Sequence, residues 1–255
     1  MLLTDTHTHL YYETDKEKQA LLMERCFLND VKRLFLPNVD GNSIAMIDQL
    51  VSTYPENCFA MAGLHPCEVK EGYDALLATI YKSISNRKIY AIGEIGIDLY
   101  WDKSTFGMQQ EAFKTQINWA KELNLPIVIH CREAFNEVFE VLEALNDEKL
   151  RGIFHCFTGD LDQAKRAINL GFYLGIGGVV TYKKAGLDLV LTDISISDIV
   201  LETDSPYLAP VPFRGKTNES SYLIHIAQKV ADIYNLSLAE VAAITTKNSM
   251  EIFGV

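Results

Sequence analysis

Eight short apolar runs, each followed by a longer polar or amphipathic stretch, constrain the fold of this 255-residue chain more than any other feature. The strand-like runs are Leu2–Thr6, Val31–Leu36, Cys58–Leu64, Ile89–Ile95, Pro126–Ile129, Gly152–Phe154, Phe172–Ile176 and Ile199–Thr203. Short runs that are apolar throughout are typical of parallel strands buried on both faces. The pattern therefore predicts an α/β protein with a parallel sheet.

The segments between the strand-like runs have the pattern of helices. They include Glu17–Asn29, Ser43–Thr53, Gln109–Leu123, Glu133–Leu145 and Leu161–Leu170. Asp160 can cap the last of these helices and Gly171 can end it. Near the C-terminus, Ser237 and Glu240 form a capping box that leads into a helix over Val241–Ile252.

Eight β/α units in about 250 residues match the arithmetic of a (β/α)8 TIM barrel. We therefore predict one domain over residues 1–255, with its active site at the C-terminal ends of the strands. An open, doubly wound sheet is the alternative, and the lack of a glycine-rich dinucleotide turn in the sequence disfavours it.

Charge and composition narrow the class of function. With 23 Lys and Arg against 34 Asp and Glu, the formal charge is −11, which argues against a sequence-specific reader of duplex DNA. Five irregularly spaced cysteines fit reduced thiols, and Cys131 and Cys156 are expected to be small buried apolar residues. With no signal-peptide pattern and no apolar run of about 20 residues, we expect a cytoplasmic protein without a membrane partner.

Side chains that can bind metal lie at the predicted C-terminal ends of the strands, where TIM barrels carry their chemistry. They are His7 and His9 after the first strand, His65 after the third, Glu94 in the fourth, His130 after the fifth, His155 after the sixth and Asp204 after the eighth. The remaining histidine, His225, lies in a predicted helix over Ser220–Ile233, and we expect it to be structural or exposed.

The set is more informative than any member of it. His7 and His9 have a chelation spacing, because residues two apart in a strand point to the same face, although two histidines in a surface loop would look the same. A lone histidine after an apolar strand, such as His130, is usually a packed rim residue. A carboxylate such as Glu94 inside an apolar strand, however, is costly unless it is paired or binds metal. Together these residues predict a metal centre.

Four histidines and two carboxylates exceed one tetrahedral site and fit two ions that share a carboxylate. Strand adjacency predicts His7, His9 and Asp204 for one ion and His130 and His155 for the other, with Glu94 bridging. Two ions about 3.5–4 Å apart would activate a water and polarise the substrate, and Asp204 would take the proton of the water.

Seven blocks stand in a characteristic order: DTHTHL at 5–10, GLHP at 63–66, AIGEIGIDLYW at 91–101, LPIVIHCREA at 125–134, GIFHCFTG at 152–159, LETDSPYLAP at 201–210 and RGKTNES at 214–220. They resemble the signature blocks of the TatD family of metal-dependent deoxyribonucleases, in the amidohydrolase superfamily of TIM barrels. The resemblance implies the same division of ligands between the two ions. One ion would be held by His7, His9, Glu94 and Asp204, and the other by Glu94, His130 and His155. The glutamate of GEIG replaces the carbamylated lysine that bridges the metals of many other amidohydrolases.

The resemblance implies Mg²⁺-dependent hydrolysis of phosphodiester bonds in DNA, with nucleotides removed preferentially from single strands. The expected substrate is thus single-stranded DNA or nucleic-acid fragments, and no obligate protein partner is evident. Two divalent ions are expected, with Mg²⁺ for activity, although histidine-rich ligation also suits Zn²⁺, Mn²⁺ or Ni²⁺.

Other motif residues are candidates for substrate contacts. His65 is predicted to reach a phosphate oxygen or stabilise the transition state, and Arg132 to bind phosphate; a surface ion pair is the alternative for Arg132. Tyr100, Trp101 and Tyr207 are predicted to stack on bases, with rim packing as the alternative. Asn218 resembles a family position near the site, and we include it among the predicted substrate contacts.

The chain departs from the family pattern at two positions. Cys67 stands where a second histidine often follows GxHP, which puts an accessory metal or phosphate contact there in doubt. Ser220 stands where the family commonly has proline. Glu202 shares the inward face with Asp204, and we expect it to support a metal ligand, direct ligation being the alternative.

Two rival functions stay open at this stage. The same metal site would hydrolyse an ester such as that of a D-aminoacyl-tRNA, an activity also attributed to TatD-like proteins. Alternatively, the barrel would bind metal without catalysing a reaction and serve as a scaffold, although the presence of all six predicted ligands argues against that loss.

Overall fold

Eight parallel strands follow one another in chain order in the computed structural model, which describes residues 1–255. They are β1 (Leu3–Asp5), β2 (Val31–Leu36), β3 (Cys58–Ala60), β4 (Ile92–Asp98), β5 (Ile127–Arg132), β6 (Gly152–Phe154), β7 (Phe172–Ile176) and β8 (Ile199–Leu201). Strands β1 to β3 form one sheet and β4 to β8 another. Isolated bridges between Ala62 and Ile92 and between Thr8 and Ser205 join the two sheets at both seams. The result is the predicted TIM barrel.

Nine helices connect the strands or close the chain. They are α1 (Lys16–Leu28), α2 (Ser43–Thr53), α3 (Tyr73–Ile84), α4 (Phe106–Leu123), α5 (Phe135–Ala144), α6 (Leu161–Asn169), α7 (Leu187–Leu191), α8 (Leu223–Tyr234) and α9 (Leu238–Phe253). The last helix packs against both β1 and β8 and so covers one seam of the barrel.

The predicted helix ends are confirmed where the sequence offers a specific cap. Asp160 accepts a hydrogen bond from the Gln163 backbone N–H at the start of α6, and Gln163 completes a capping box. Gly171, just after that helix, has a left-handed φ of 87°, which glycine adopts without strain. Ser237 and Glu240 form the predicted capping box at the start of α9.

Several predicted strand ends were wrong, and the reason is hydrogen bonding. The fourth strand was expected over Ile89–Ile95 but β4 continues to Asp98, and β5 continues past Ile129 to Arg132. The two extensions pair with each other in the sheet. An apolar run indicates which residues are buried, whereas a strand continues as far as the neighbouring strand offers backbone hydrogen bonds. The first, third and eighth strands stop earlier than predicted, at Asp5, Ala60 and Leu201.

The bottom of the barrel interior is closed by a small apolar cluster. It contains Phe35, Phe59, Met61, Ala91, Val128, Ile153, Val200, Ile252 and Phe253. Side chains two residues apart in a strand share a face. The residues two beyond Val128, Ile153 and Val200 are His130, His155 and Glu202, so they form the next layer towards the C-terminal mouth. Strand alternation thus positions the polar centre directly above an apolar floor.

All five cysteines are free thiols, as predicted. Cys131 and Cys156 are only partly buried, which corrects the expectation that they are core residues, because both lie close to the open mouth of the barrel. None of the helices combines the length and the hydrophobicity that a membrane-spanning segment requires.

Candidate metal centre

Glu94 occupies the middle of the barrel mouth and is almost fully buried. Its Oε1 atom lies 2.9 Å from His130 Nδ1, 3.0 Å from His155 Nε2 and 3.2 Å from His65 Nε2. Its Oε2 atom lies 3.2 Å from His7 Nε2 and 3.8 Å from His9 Nε2. The two carboxylate oxygens therefore face two different groups of histidines, as a bridging ligand must.

The first group is held where the chain leaves β1. That strand ends at Asp5, so His7 and His9 follow the strand, as predicted, but the spacing expected from a shared strand face does not apply to them. Their convergence comes from pairing with the chain after β8: Asp204 donates its backbone N–H to His7 O at 2.9 Å. The Asp204 Oδ1 atom then lies 3.5 Å from His9 Nε2 and 3.8 Å from His7 Nε2.

The second group contains His130, inside β5, and His155, just after β6. His155 donates its backbone N–H to Ile129 O at 3.0 Å, which fixes it beside its neighbour strand. Its ring stacks on that of His7 with centroids 3.8 Å apart. Three sets of side chains bring their donor atoms within 4.8 Å of one another: His7, His155 and Asp204; His7, His9 and Glu94; and His65, Glu94 and His130. All six predicted ligands thus meet in one continuous centre.

Hydrogen bonds on the far sides of the rings select which nitrogen is free to bind metal. Tyr11 donates its hydroxyl to Pro37 O at 2.7 Å, so its 2.8 Å contact with His9 Nδ1 requires that nitrogen to be the donor. The lone pair of His9 is then on Nε2, towards Glu94. Such outer partners fix the tautomer and orientation of histidine ligands.

In the second group, carboxylates lie beside the ring nitrogens that face away from Glu94. Asp98 Oδ2 lies 2.8 Å from His130 Nε2, so in the neutral ring Nε2 carries the hydrogen and the lone pair is on Nδ1, towards Glu94. Glu202 Oε1 lies 3.3 Å from His155 Nδ1, a close contact that is not a hydrogen bond, and accepts the Cys156 backbone N–H. This contact agrees with the supporting role predicted for Glu202.

His7 provides the test of whether a metal fits. Both of its ring nitrogens are buried without a hydrogen-bond partner, and buried polar atoms are normally satisfied. A divalent cation at Nε2, beside Glu94 Oε2, would satisfy one of them, and imidazole and carboxylate are suitable donors. The residues present therefore fit a metal centre.

The electrostatics of the centre favour an ionised bridge. Burial raises the pKa of Glu94, but His155, His65 and His7 outweigh it and hold the pKa well below its usual value. Burial also raises the pKa of Asp204, and His9 and its neighbours lower it overall. Burial lowers the pKa of His7, which keeps that ring neutral and able to bind a cation. Both carboxylates are therefore charged at neutral pH.

His65 differs from the ligands in that the ring nitrogen facing Glu94 carries the hydrogen. Its Nδ1 accepts the Cys67 backbone N–H at 3.1 Å, so in the neutral ring Nε2 carries the hydrogen. Burial lowers the pKa of His65, which favours this neutral form. A protonated nitrogen cannot bind a cation but can donate to an anion. The surroundings thus fit the predicted contact with substrate.

Arg132 lies on the rim and stacks on aromatic rings. Its guanidinium carbon is 3.9 Å from the centroid of the Tyr100 ring and 5.5 Å from that of Trp101. These cation–π contacts replace the surface ion pair that was the alternative. Tyr100, Trp101 and Tyr207 are exposed at the mouth, so their faces are accessible, and their contact with bases stays a prediction.

Asn218 is placed differently from the prediction. Its amide nitrogen donates to Thr203 O at 2.7 Å and Tyr207 O at 2.6 Å, and its oxygen accepts the Glu219 N–H at 2.9 Å. Because this buried amide is fully used inside the protein, we assign Asn218 to the framework of the loop after β8 instead of to substrate binding. His225 lies on α8 beside Phe213, outside the centre, as expected.

Asp98 was missed by the sequence analysis. It shares one strand with Glu94, and a second buried carboxylate in the apolar run IGEIGID was the available signal. The strand was predicted to stop at Ile95, which left Asp98 outside it.

A family model described as TatD related DNase matches residues 4–254. The chain belongs to the TatD family. Over the whole length of both chains it is 38% identical to "Uncharacterized metal-dependent hydrolase YabD" of Bacillus subtilis. It is also 30% identical to "Uncharacterized metal-dependent hydrolase YcfH" of Escherichia coli K12. That match covers 100% of this chain and 97% of the relative. The protein is accordingly a metal-dependent hydrolase.

A solved structure supports the same conclusion. The crystal structure of YJJV, a TatD homologue from Escherichia coli K12, superposes with a TM-score of 0.93 at 26% identity, covering 99% of this chain and 98% of that one. The barrel and the order of its strands are therefore those of the TatD fold.

Proposed function

We propose that this TatD-family hydrolase is a deoxyribonuclease that cleaves phosphodiester bonds of single-stranded DNA. The observation that supports it most is the Glu94 carboxylate, which has histidine groups on both oxygens at 2.9–3.8 Å. We assign one cation site to His7, His9, Glu94 and Asp204 and the other to Glu94, His130 and His155. Divalent cations there would polarise the scissile phosphate and acidify a water.

Asp204 is suited to accept the proton of the attacking water. Its carboxylate is ionised, because neighbouring histidines hold its pKa below the usual value despite burial. Its side chain is 13% exposed, so a water can reach it. The oxygen of the water forms the new bond to phosphorus, one ester P–O bond breaks, and the leaving oxygen takes up the proton that Asp204 accepted, directly or through solvent.

Two further groups suit an anionic substrate. His65 offers a neutral Nε2–H donor beside Glu94, and Arg132 offers a permanent positive charge held against Tyr100. Both would contact non-bridging phosphate oxygens. A small uncharged ester would make no comparable use of Arg132, which favours a nucleic-acid substrate over such an ester.

The mouth of the barrel gives the centre access to solvent. The side chains of His65, His130 and Asp204 are between 13% and 16% exposed, whereas His7 is fully buried. Ligands that reach the surface on one side only are typical of catalytic metal sites, which keep a position open. This arrangement favours an enzyme over a sealed metal-binding scaffold.

The test is nucleotide release from end-labelled single-stranded DNA by protein stripped with a chelator and reloaded with Mg²⁺, Mn²⁺ or Zn²⁺. We expect metal-dependent release, and a loss of about 10²-fold or more in Asp204→Asn. His225→Ala, a histidine outside the centre, is the matched control and should retain activity.

The outcome that would overturn the nuclease proposal is no release with any metal from protein shown to hold two ions per chain. D-aminoacyl-tRNA and simple carboxylic esters would then be assayed with the same variants. Release that Asp204→Asn retains would indicate a contaminating nuclease.

A further inference from the structure

The loops that follow β7 and β8 carry four exposed cations without ion pairs. They are Lys183, Lys184, Arg214 and Lys216, which we name the basic rim. Elsewhere Arg25, Arg166 and Lys229 each have a carboxylate within 4.0 Å, and no member of the basic rim does. Resting on the proposed nuclease function, we propose that the basic rim binds phosphates of the DNA strand beyond the one being cleaved.

The two loops form one surface because they bond to each other. The Arg214 guanidinium lies 4.3 Å from the centroid of the Tyr182 ring. Tyr182 donates its hydroxyl to Ala209 O at 2.9 Å, and Val211 donates its backbone N–H to Thr181 Oγ1 at 2.9 Å. The lysines that follow Tyr182 are thereby held next to the loop that carries Arg214.

The loop after β8 connects the metal centre to the basic rim along the chain. The loop after β8 begins at the ligand Asp204, whose backbone oxygen accepts the Tyr207 N–H at 2.9 Å. The exposed Tyr207 ring lies 5.9 Å from the His9 ring. From there the chain passes through an exposed Leu208 and a buried Ala209 to the exposed Arg214. A strand whose phosphate is at the metal centre can therefore continue along this loop.

The local charge contrasts with that of the whole protein. The chain has a formal charge of −11, yet residues 177–187 and 205–218 contain four cations and no carboxylate. A positive surface beside a cleft attracts an anionic ligand even when the net charge opposes it. Cations spread over two loops match several phosphates in a row, and a flexible single strand can follow them. We therefore assign the surface to the phosphate backbone of single-stranded DNA.

The binding experiment measures fluorescence anisotropy of a long labelled oligonucleotide with the Asp204→Asn protein, which leaves the strand intact. The comparison adds Lys183→Gln, Lys184→Gln, Arg214→Gln and Lys216→Gln together. We expect weaker binding and a shallower dependence of log affinity on log salt, by about 0.7 for each phosphate that is no longer neutralised and so about 2.8 at most for four.

The kinetic experiment compares kcat/KM for a dinucleotide and for a long single strand, with otherwise native protein. Removing the basic rim should lower kcat/KM for the long strand about 10-fold or more at low salt and leave the dinucleotide unchanged, because only the long strand reaches the rim. The matched control neutralises four exposed, unpaired lysines remote from the mouth: Lys32, Lys82, Lys149 and Lys165.

The outcomes separate this proposal from the nuclease proposal. Three results would overturn the proposal for the basic rim. They are an unchanged DNA affinity and salt slope, an equal loss of kcat/KM on the dinucleotide, and an equal effect of the control substitutions. If the native protein cleaves no DNA, the nuclease proposal fails, and the anisotropy measurement still decides whether the rim binds a strand.

Discussion

The carboxylate of Asp98 lies 2.8 Å from His130 Nε2, while Glu94 Oε1 lies 2.9 Å from Nδ1 of the same ring. The imidazole is therefore held between two carboxylates, one at the metal centre and one behind it. Asp98 is itself fixed, because its Oδ1 accepts the backbone N–H groups of Tyr100 and Trp101. Burial raises the pKa of Asp98, but the hydrogen bond to His130 and the backbone N–H groups lower it to about 2 overall. Asp98 therefore remains a charged acceptor.

Asp98→Asn should weaken the second metal site and spare the first. The two backbone N–H groups keep the amide oxygen in place, so the amide nitrogen faces His130 Nε2 and forces the proton onto Nδ1. Removing such a partner typically lowers metal affinity about 10–100-fold. Calorimetric titration of stripped protein should then show one site weakened by that factor. Asp102→Asn, in the loop that follows β4 and outside the centre, is the control. Equal weakening of both sites in Asp98→Asn would contradict the assignment.

Gly175→Ala should disturb Glu202 and through it His155. A methyl group at Gly175 would overlap Glu202 Oε2, whereas one at Gly177 would have its nearest neighbour 3.8 Å away. We expect Gly175→Ala to cost about 1–3 kcal/mol in the free energy of unfolding and to weaken the second metal site. Gly177→Ala is the matched control. Chemical denaturation with and without metal measures the free energy of unfolding and the stabilisation by metal in each variant. Two variants that behave alike would show that Glu202 tolerates displacement.

The sequence predicted the barrel and the six side chains that meet at its mouth because both depend on local pattern. Apolar runs indicate buried strands, and a polar residue directly after one reaches the mouth wherever the strand stops. What it missed depends on pairing between distant segments. His7 and His9 converge because the chain after β8 bonds to them, and Asp98 belongs to the centre because β4 and β5 extend together. The role of Asn218 depends likewise on carbonyl groups at Thr203 and Tyr207 that no spacing reveals.

Metal should stabilise the folded protein. A ligand that binds only the native state at 100 times its Kd contributes about 2.7 kcal/mol. At about 2–4 °C per kcal/mol for a chain of this size, one site should raise Tm by roughly 5–10 °C. Thermal unfolding of stripped protein with and without Mn²⁺ measures the shift. His7→Ala should lose most of it and His225→Ala should keep it, and a shift that survives in His7→Ala would argue against the ligand assignment.

The apolar floor beneath the centre should depend on the end of the chain. Phe253 is 6% exposed and its ring stacks on that of Phe35 with centroids 3.8 Å apart. Phe253→Ala should therefore cost about 3–5 kcal/mol, a large fraction of the roughly 5–15 kcal/mol typical of a folded domain. Met250, on the same helix, is 45% exposed, and Met250→Ala should change stability by about 0.5 kcal/mol or less. Urea denaturation of both variants checks the contrast. Similar losses of stability in the two variants would contradict this. They would mean that helix α9 as a whole stabilises the barrel, and not the packing of Phe253 in its interior.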